Sequence, residues 1–118
     1  MRLEKDLMKQ IGQRLSIYKL TGEVEWYTRL QSGKAKVGSY FINLAEAGTP
    51  DWFAIIRGQE NQVLALFIEA KSDTGQLRQS QMEFITRFAN KKDIYILVIR
   101  NIEELNFENV KLTQRSYK

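Results

Sequence analysis

The stretch "GTPDWFAIIRGQENQVLALFIEAKSDTG", Gly48 to Gly75, holds the two most apolar runs of the chain and decides how it folds. "DWFAIIR" and "QVLALFIEAK" read as strands, and the polar "GQEN" between them reads as a tight turn. Strands joined this way run antiparallel, which sets the start of the first beside the end of the second. Asp51 stands at that start and Glu69 and Lys71 at that end, so the pairing brings Asp51 close to Glu69. Residues two apart in a strand share a face, so Glu69 and Lys71 project together while Ala70 points away. The unbroken apolar run before them marks a central strand covered on both sides. Pro50, the only proline of the chain, fixes its own φ and holds Thr49 extended, which stiffens the approach to Asp51.

Outward from this hairpin the chain alternates helix and strand patterns. Upstream, Leu3, Leu7, Ile11 and Leu15 recur every four residues with Met8 beside them, the stripe of an amphipathic helix extending through Tyr18 and ended by Gly22. "EVEWYTRLQ" and "KVGSYFINL" then read as two strands around a turn at Ser32-Gly33, and Ala45 to Pro50 as a connecting loop. Downstream of the polar "SDTGQLRQ", a second helix runs from about Arg78 to Asn90, with Met82, Ile85, Phe88 and Ala89 marking its apolar side and Phe84 adding to the core. "DIYILVIRN" is a last strand, which a helical crossover sets parallel to "QVLALFIEAK". The expectation is one α/β domain over residues 1–118, a mixed sheet flanked by helices in the order α-β-β-β-β-α-β.

Composition narrows the chemistry. The 118 residues are 43% hydrophobic and 27% charged, a globular balance without an apolar run near the ~20 residues of a membrane helix. The N-terminus is too charged for a secretory signal, so a soluble, cytoplasmic protein is expected. The chain has neither Cys nor His. That excludes disulfides, Cys-ligated zinc, thiol nucleophiles, Ser-His-Asp triads and HExxH metal sites. Catalysis must then use carboxylates, Lys, Tyr, Ser or Thr, and an all-oxygen site suits Mg²⁺ or Mn²⁺. The net charge of +4 is compatible with a polyanion as partner. Arg29, Lys34 and Lys36 form one basic patch, and Lys111, Arg115 and Lys118 another. Each patch also reads as plain solubilising charge.

Pro-Asp, seventeen residues, then Glu-Ala-Lys resembles the PD-(D/E)xK nuclease signature, and "GTPD…FIEAK…Q" is similar in particular to its VRR-NUC branch. The resemblance spans the chain from Glu4 to the last strand and implies a restriction-endonuclease-like fold related to that of archaeal Holliday-junction resolvases. It implies that Asp51, Glu69 and the backbone carbonyl of Ala70 hold Mg²⁺, or Mn²⁺ in its place, with Glu4 on the first helix as a further ligand. The ion, or two ions about 4 Å apart, would activate water and neutralise charge at the phosphate. Lys71 would orient or deprotonate the water or bind a phosphate oxygen. Gln81, which shares a helix face with Ile85 and Phe88, would position the phosphate or the water.

The implied function is a structure-specific DNA endonuclease acting as a homodimer on branched DNA such as four-way junctions, with Trp26, Tyr27, Tyr40 and Phe41 as candidates for the two-fold interface. A stand-alone domain of this size fits a phage protein acting in the host cytoplasm. The alternatives are a general or restriction-type nuclease with the same site, or a DNA-binding module that no longer cuts. Residue by residue, plainer readings also stand. Asp51 could cap a turn, Glu69 and Lys71 could form a surface ion pair of little energetic weight, Glu4 could be a first-turn acid favourable to the helix dipole, and Gln81 could be a structural hydrogen-bonder.

Overall fold

In the computed structural model, residues 3–107 are described; the basic tail with Lys111, Arg115 and Lys118 lies outside them. The elements are α1 (Glu4–Thr21), β1 (Val24–Arg29), β2 (Lys34–Val37), β3 (Tyr40–Asn43), β4 (Trp52–Arg57), β5 (Val63–Ala70), α2 (Gln79–Phe88) and β6 (Ile94–Ile99). Four strands form a mixed sheet in the order β1-β4-β5-β6, antiparallel except for the parallel pair β5–β6. The α/β architecture with a helical crossover between β5 and β6 agrees with the sequence expectation. Among the described residues no helix is long and apolar enough to cross a membrane.

Side-chain alternation divides the sheet into two faces. Ala54 and Ile56 of β4 and Leu64, Leu66, Ile68 and Ala70 of β5 join Leu7, Ile11 and Leu15 of α1 in one buried core. Those three α1 residues are fully buried, each contributing about 1.5–3 kcal/mol of transfer free energy. The helix closes at Gly22, whose N–H and that of Glu23 return to the carbonyls of Lys19 and Tyr18. On the other face Phe67 packs against Phe53 of β4 and against Phe84 and Phe88 of α2, with ring centroids 5.0, 5.2 and 6.4 Å away. Glu69 and Lys71 continue the Phe67 row, so they belong to the α2 face.

The structure departs from the sequence reading in the middle of the chain. "KVGSYFINL" is not one strand but a two-stranded ribbon, β2–β3, turning at Gly38-Ser39. Gly38 has φ +60°, the left-handed region that two-residue hairpin turns require. β1 therefore pairs with β4, not with the segment that follows it. The pairs Lys34–Asn43 and Lys36–Phe41 occupy one face of the ribbon, and Ala35–Ile42 and Val37–Tyr40 the other. Met82 also departs from expectation. It is exposed on the outside of α2, while Gln81 is buried against the sheet.

Candidate active site

The site is assembled at the end of β5, where three segments are tied by backbone hydrogen bonds. Asp51 directly precedes β4, donating its N–H to Ile68 O at 3.0 Å and accepting the N–H of Leu30 on its carbonyl at 2.7 Å. Its backbone is thus held by both neighbouring strands. Its side chain takes over where the ladder stops, Oδ2 accepting the N–H of Ala70 at 2.8 Å. The regular β4–β5 pairing ends at Trp52–Ile68, and Asp51 and Pro50 lie just beyond it. Ala70 turns its amide toward β4, and proline has no N–H to offer its carbonyl. Ala70 therefore anchors the Asp51 side chain through its N–H.

Glu69 is 4% exposed. Gln81 reaches it from the first turn of α2, Nε2 donating to Glu69 Oε1 at 2.8 Å. The orientation of the Gln81 amide is set at its other end, where Oε1 accepts the N–H of Arg78 at 2.8 Å. Gly48 determines how close α2 comes. Its φ is +89°, and a Cβ there would overlap the backbone carbonyl of Ser80, the residue before Gln81. Burial first, then the neighbouring Asp51 carboxylate, push Glu69 up from 4.5 to about 8. The Lys71 ammonium pulls the other way without cancelling them. Lys71 is 8% exposed, so the same-face ammonium expected from the sequence is inside the site and not a surface partner.

The structure thus brings Asp51, Glu69, Ala70, Lys71 and Gln81 together. Glu4 stands apart. It is exposed at the first turn of α1 and lines a cleft of about 660 Å³ with Lys5, Lys9, Arg29 and Trp52. Its charge still reaches Glu69, as the weakest of the influences that raise it. Among the described residues no three His, Cys, Asp or Glu side chains converge closely enough to hold a metal ion. The remaining donor set nevertheless fits a hard divalent cation. Two neighbouring carboxylates, one driven toward neutrality by burial and then by the other's charge, and an adjacent carbonyl are all oxygens, and a cation between them removes the repulsion.

One contributor escaped the sequence reading. Arg100, just after β6, donates from Nη1 to Ser72 O at 2.7 Å and Gly75 O at 2.6 Å. It fastens the loop that follows Lys71, while Lys71 N–H bonds Ile99 O at 2.9 Å. The parallel crossover carried the signal, since it sets the ends of "FIEAK" and "LVIRN" side by side. Comparison with known proteins adds nothing to the geometry: no family model, curated protein or solved structure matches the chain.

Proposed function

We propose that this chain is a metal-dependent endonuclease that hydrolyses phosphodiester bonds in branched DNA, with four-way junctions as the leading substrate. The observation that carries the reading is the Asp51–Glu69 pair, a half-buried acid set against a buried one, each oriented by an N–H donor, with the buried Lys71 alongside. A solvated surface pair would not explain why Glu69 is buried against another acid. Asp51, Glu69 and the carbonyl of Ala70 would hold Mg²⁺ or Mn²⁺, with Glu4 approaching from α1. Such an ion, when bound, acidifies water and offsets charge that develops on a phosphate.

The chain's own groups divide the remaining work. Ala70 N–H and Gln81 fix the directions of the two carboxylates, so Gln81 acts on the reaction through Glu69. Lys71 supplies an ammonium for a non-bridging phosphate oxygen. Gly48 and Arg100 hold the two loops that frame the acids. The chemistry is oxygen-based hydrolysis, and the basic patch of Arg29, Lys34 and Lys36 suits a polyanionic substrate.

A two-fold dimer belongs to the proposal. The apolar side of the β2–β3 ribbon exposes Val37, Tyr40 and Ile42, and the edge strand β1 exposes Trp26, apolar groups that a second copy could cover. Sedimentation at micromolar concentration should give twice 13.8 kDa. The functional test compares Mg²⁺-dependent cleavage of a four-way junction with that of the matched linear duplex. Paired nicks in the junction support the reading. Equal cutting of both leaves a general nuclease, and no cutting of either in Mg²⁺ or Mn²⁺ leaves a binding module.

A further inference from the structure

The β2–β3 ribbon has two chemically different sides, and its cationic side has no role in the site described above. Lys34, Lys36, Phe41 and Asn43 share that side, and all four are exposed, Phe41 by 67%. Between Glu25 and Glu46 the chain has no Asp or Glu, while Arg29, Lys34 and Lys36 all fall there. The field along the ribbon is therefore of one sign. Phe41 stands directly across the ribbon from Lys36, on the same side as Lys34. Solubility calls for the charges but not for an exposed phenyl ring.

The ribbon springs from the site itself. Leu30, the first residue after β1, bonds the carbonyl of Asp51, and the base is closed by Ala45 N–H to Gln31 O at 2.8 Å and Leu44 N–H to Gly33 O at 2.8 Å. From Leu30 to Lys36 the chain extends at most ~20 Å at ~3.3 Å per residue. That is about six nucleotide steps at ~3.4 Å each. An arm rooted at Asp51 thus has a reach of up to about half a helical turn from the phosphate being cut.

Resting on the nuclease reading, we infer that the Lys34–Lys36–Phe41 side of this ribbon grips the DNA strand beside the branch point, the lysines on phosphates and Phe41 stacked on a base left unpaired there. The charges select a polyanion. The exposed ring selects a substrate with an accessible base face, which a continuous duplex does not present. This gives the site a preference for branched or single-stranded regions without any reading of base edges.

The test measures binding in EDTA, where no cleavage occurs, to a fluorescent four-way junction and to the matched linear duplex, with 2-aminopurine at the branch in a second junction. Phe41→Ala should weaken junction binding about 5- to 150-fold and change duplex binding little. Phe41→Trp should restore both the affinity and the quenching of 2-aminopurine, whereas Phe41→Leu, which keeps apolar bulk, should not. Lys34→Ala with Lys36→Ala should make the dependence of log affinity on log salt shallower by roughly 1.4–1.8, two phosphate contacts' worth.

Parent-like affinity and salt slope in all these variants overturn the inference, even if the protein cuts junctions. So does a loss of binding that tracks a change from dimer to monomer in sedimentation, since the ribbon's cationic side is then a contact between chains. Ring-dependent junction binding by a protein that cuts nothing in Mg²⁺ upholds the arm and rejects the nuclease.

Discussion

Gln81 donates from Nε2 to Oε1 of Glu69 at 2.8 Å, and nothing in that bond is left to side-chain freedom. The far end of the same amide accepts the N–H of Arg78, so the nitrogen must face the acid. Replacing Gln81 by Ala removes the only N–H donor to the Glu69 carboxylate in the described structure. Activity should fall about 10- to 100-fold, the usual cost of losing a group that orients a metal ligand. Metal affinity should fall with it, which a titration of Mg²⁺ against cleavage rate would read. An unchanged Mg²⁺ midpoint would make Gln81 a helix-start residue only.

The protonation of Glu69 ties stability to pH. With the folded pKa raised from 4.5 to about 8, the folded chain binds one more proton than the unfolded chain between those values. Stability contributed by the protonated carboxyl is complete below 4.5 and is lost as pH rises through 8. In EDTA the slope within that window should approach, at most, about 1.4 kcal/mol per pH unit. Glu69→Gln should flatten the slope and stabilise the metal-free protein at pH 8. Chemical denaturation at pH 5, 6.5 and 8 decides it, and a Glu69→Gln profile parallel to the parent's would mean that Glu69 titrates normally.

Mg²⁺ should act in the opposite sense. A cation between Asp51 and Glu69 expels the proton, so its binding tightens as pH rises and raises the melting temperature more at pH 8 than at pH 6. Asp51→Asn should abolish that rise. A rise of equal size in Asp51→Asn would locate the ion elsewhere.

Lys71 should show in turnover and not in affinity. Lys71→Ala removes the buried ammonium proposed to meet the phosphate and should lower the cleavage rate about 10²- to 10⁴-fold, with the dissociation constant for DNA nearly unchanged. Removal of its charge also raises Glu69 further, since Lys71 is what pulls that acid down. Equal losses in rate and affinity would make Lys71 an ordinary phosphate contact.

Gly48→Ala tests the frame without touching a charged group. The added methyl meets the carbonyl of Ser80 from a backbone at φ +89°. The strain and overlap should cost about 2–5 kcal/mol and move Gln81 off Glu69. A variant as stable as the parent would show that α2 can shift freely, and the orientation of Glu69 would not depend on it.

The hairpin that carries the acids could be read directly. Two apolar runs around a polar turn pair antiparallel, and that pairing brings Asp51 close to Glu69. Lys71 followed from strand alternation and Gln81 from helix periodicity. The ribbon escaped because "KVGSYFINL" is rich in aromatic and β-branched residues on both sides of its turn, and Gly38-Ser39 is no stronger a turn signal than Ser32-Gly33. Met82 lies off the packed side because Gln81, Phe84, Ile85 and Phe88 already fill the face that α2 turns to the sheet. The contact of Gly48 with Ser80, the reach of Arg100 and the distance of Glu4 depend on how helices and loops settle on the sheet. No local pattern encodes those separations.

The central claim is that Asp51 and Glu69 jointly hold a divalent ion that cuts DNA. Single-turnover cleavage of a labelled four-way junction in Mg²⁺, compared for the parent, Asp51→Asn and Glu69→Gln, measures it most directly. The account predicts cleavage by the parent, its loss in EDTA, and no detectable product from either variant while both remain folded and bind the junction. Product formed by either variant at near the parent rate would contradict it.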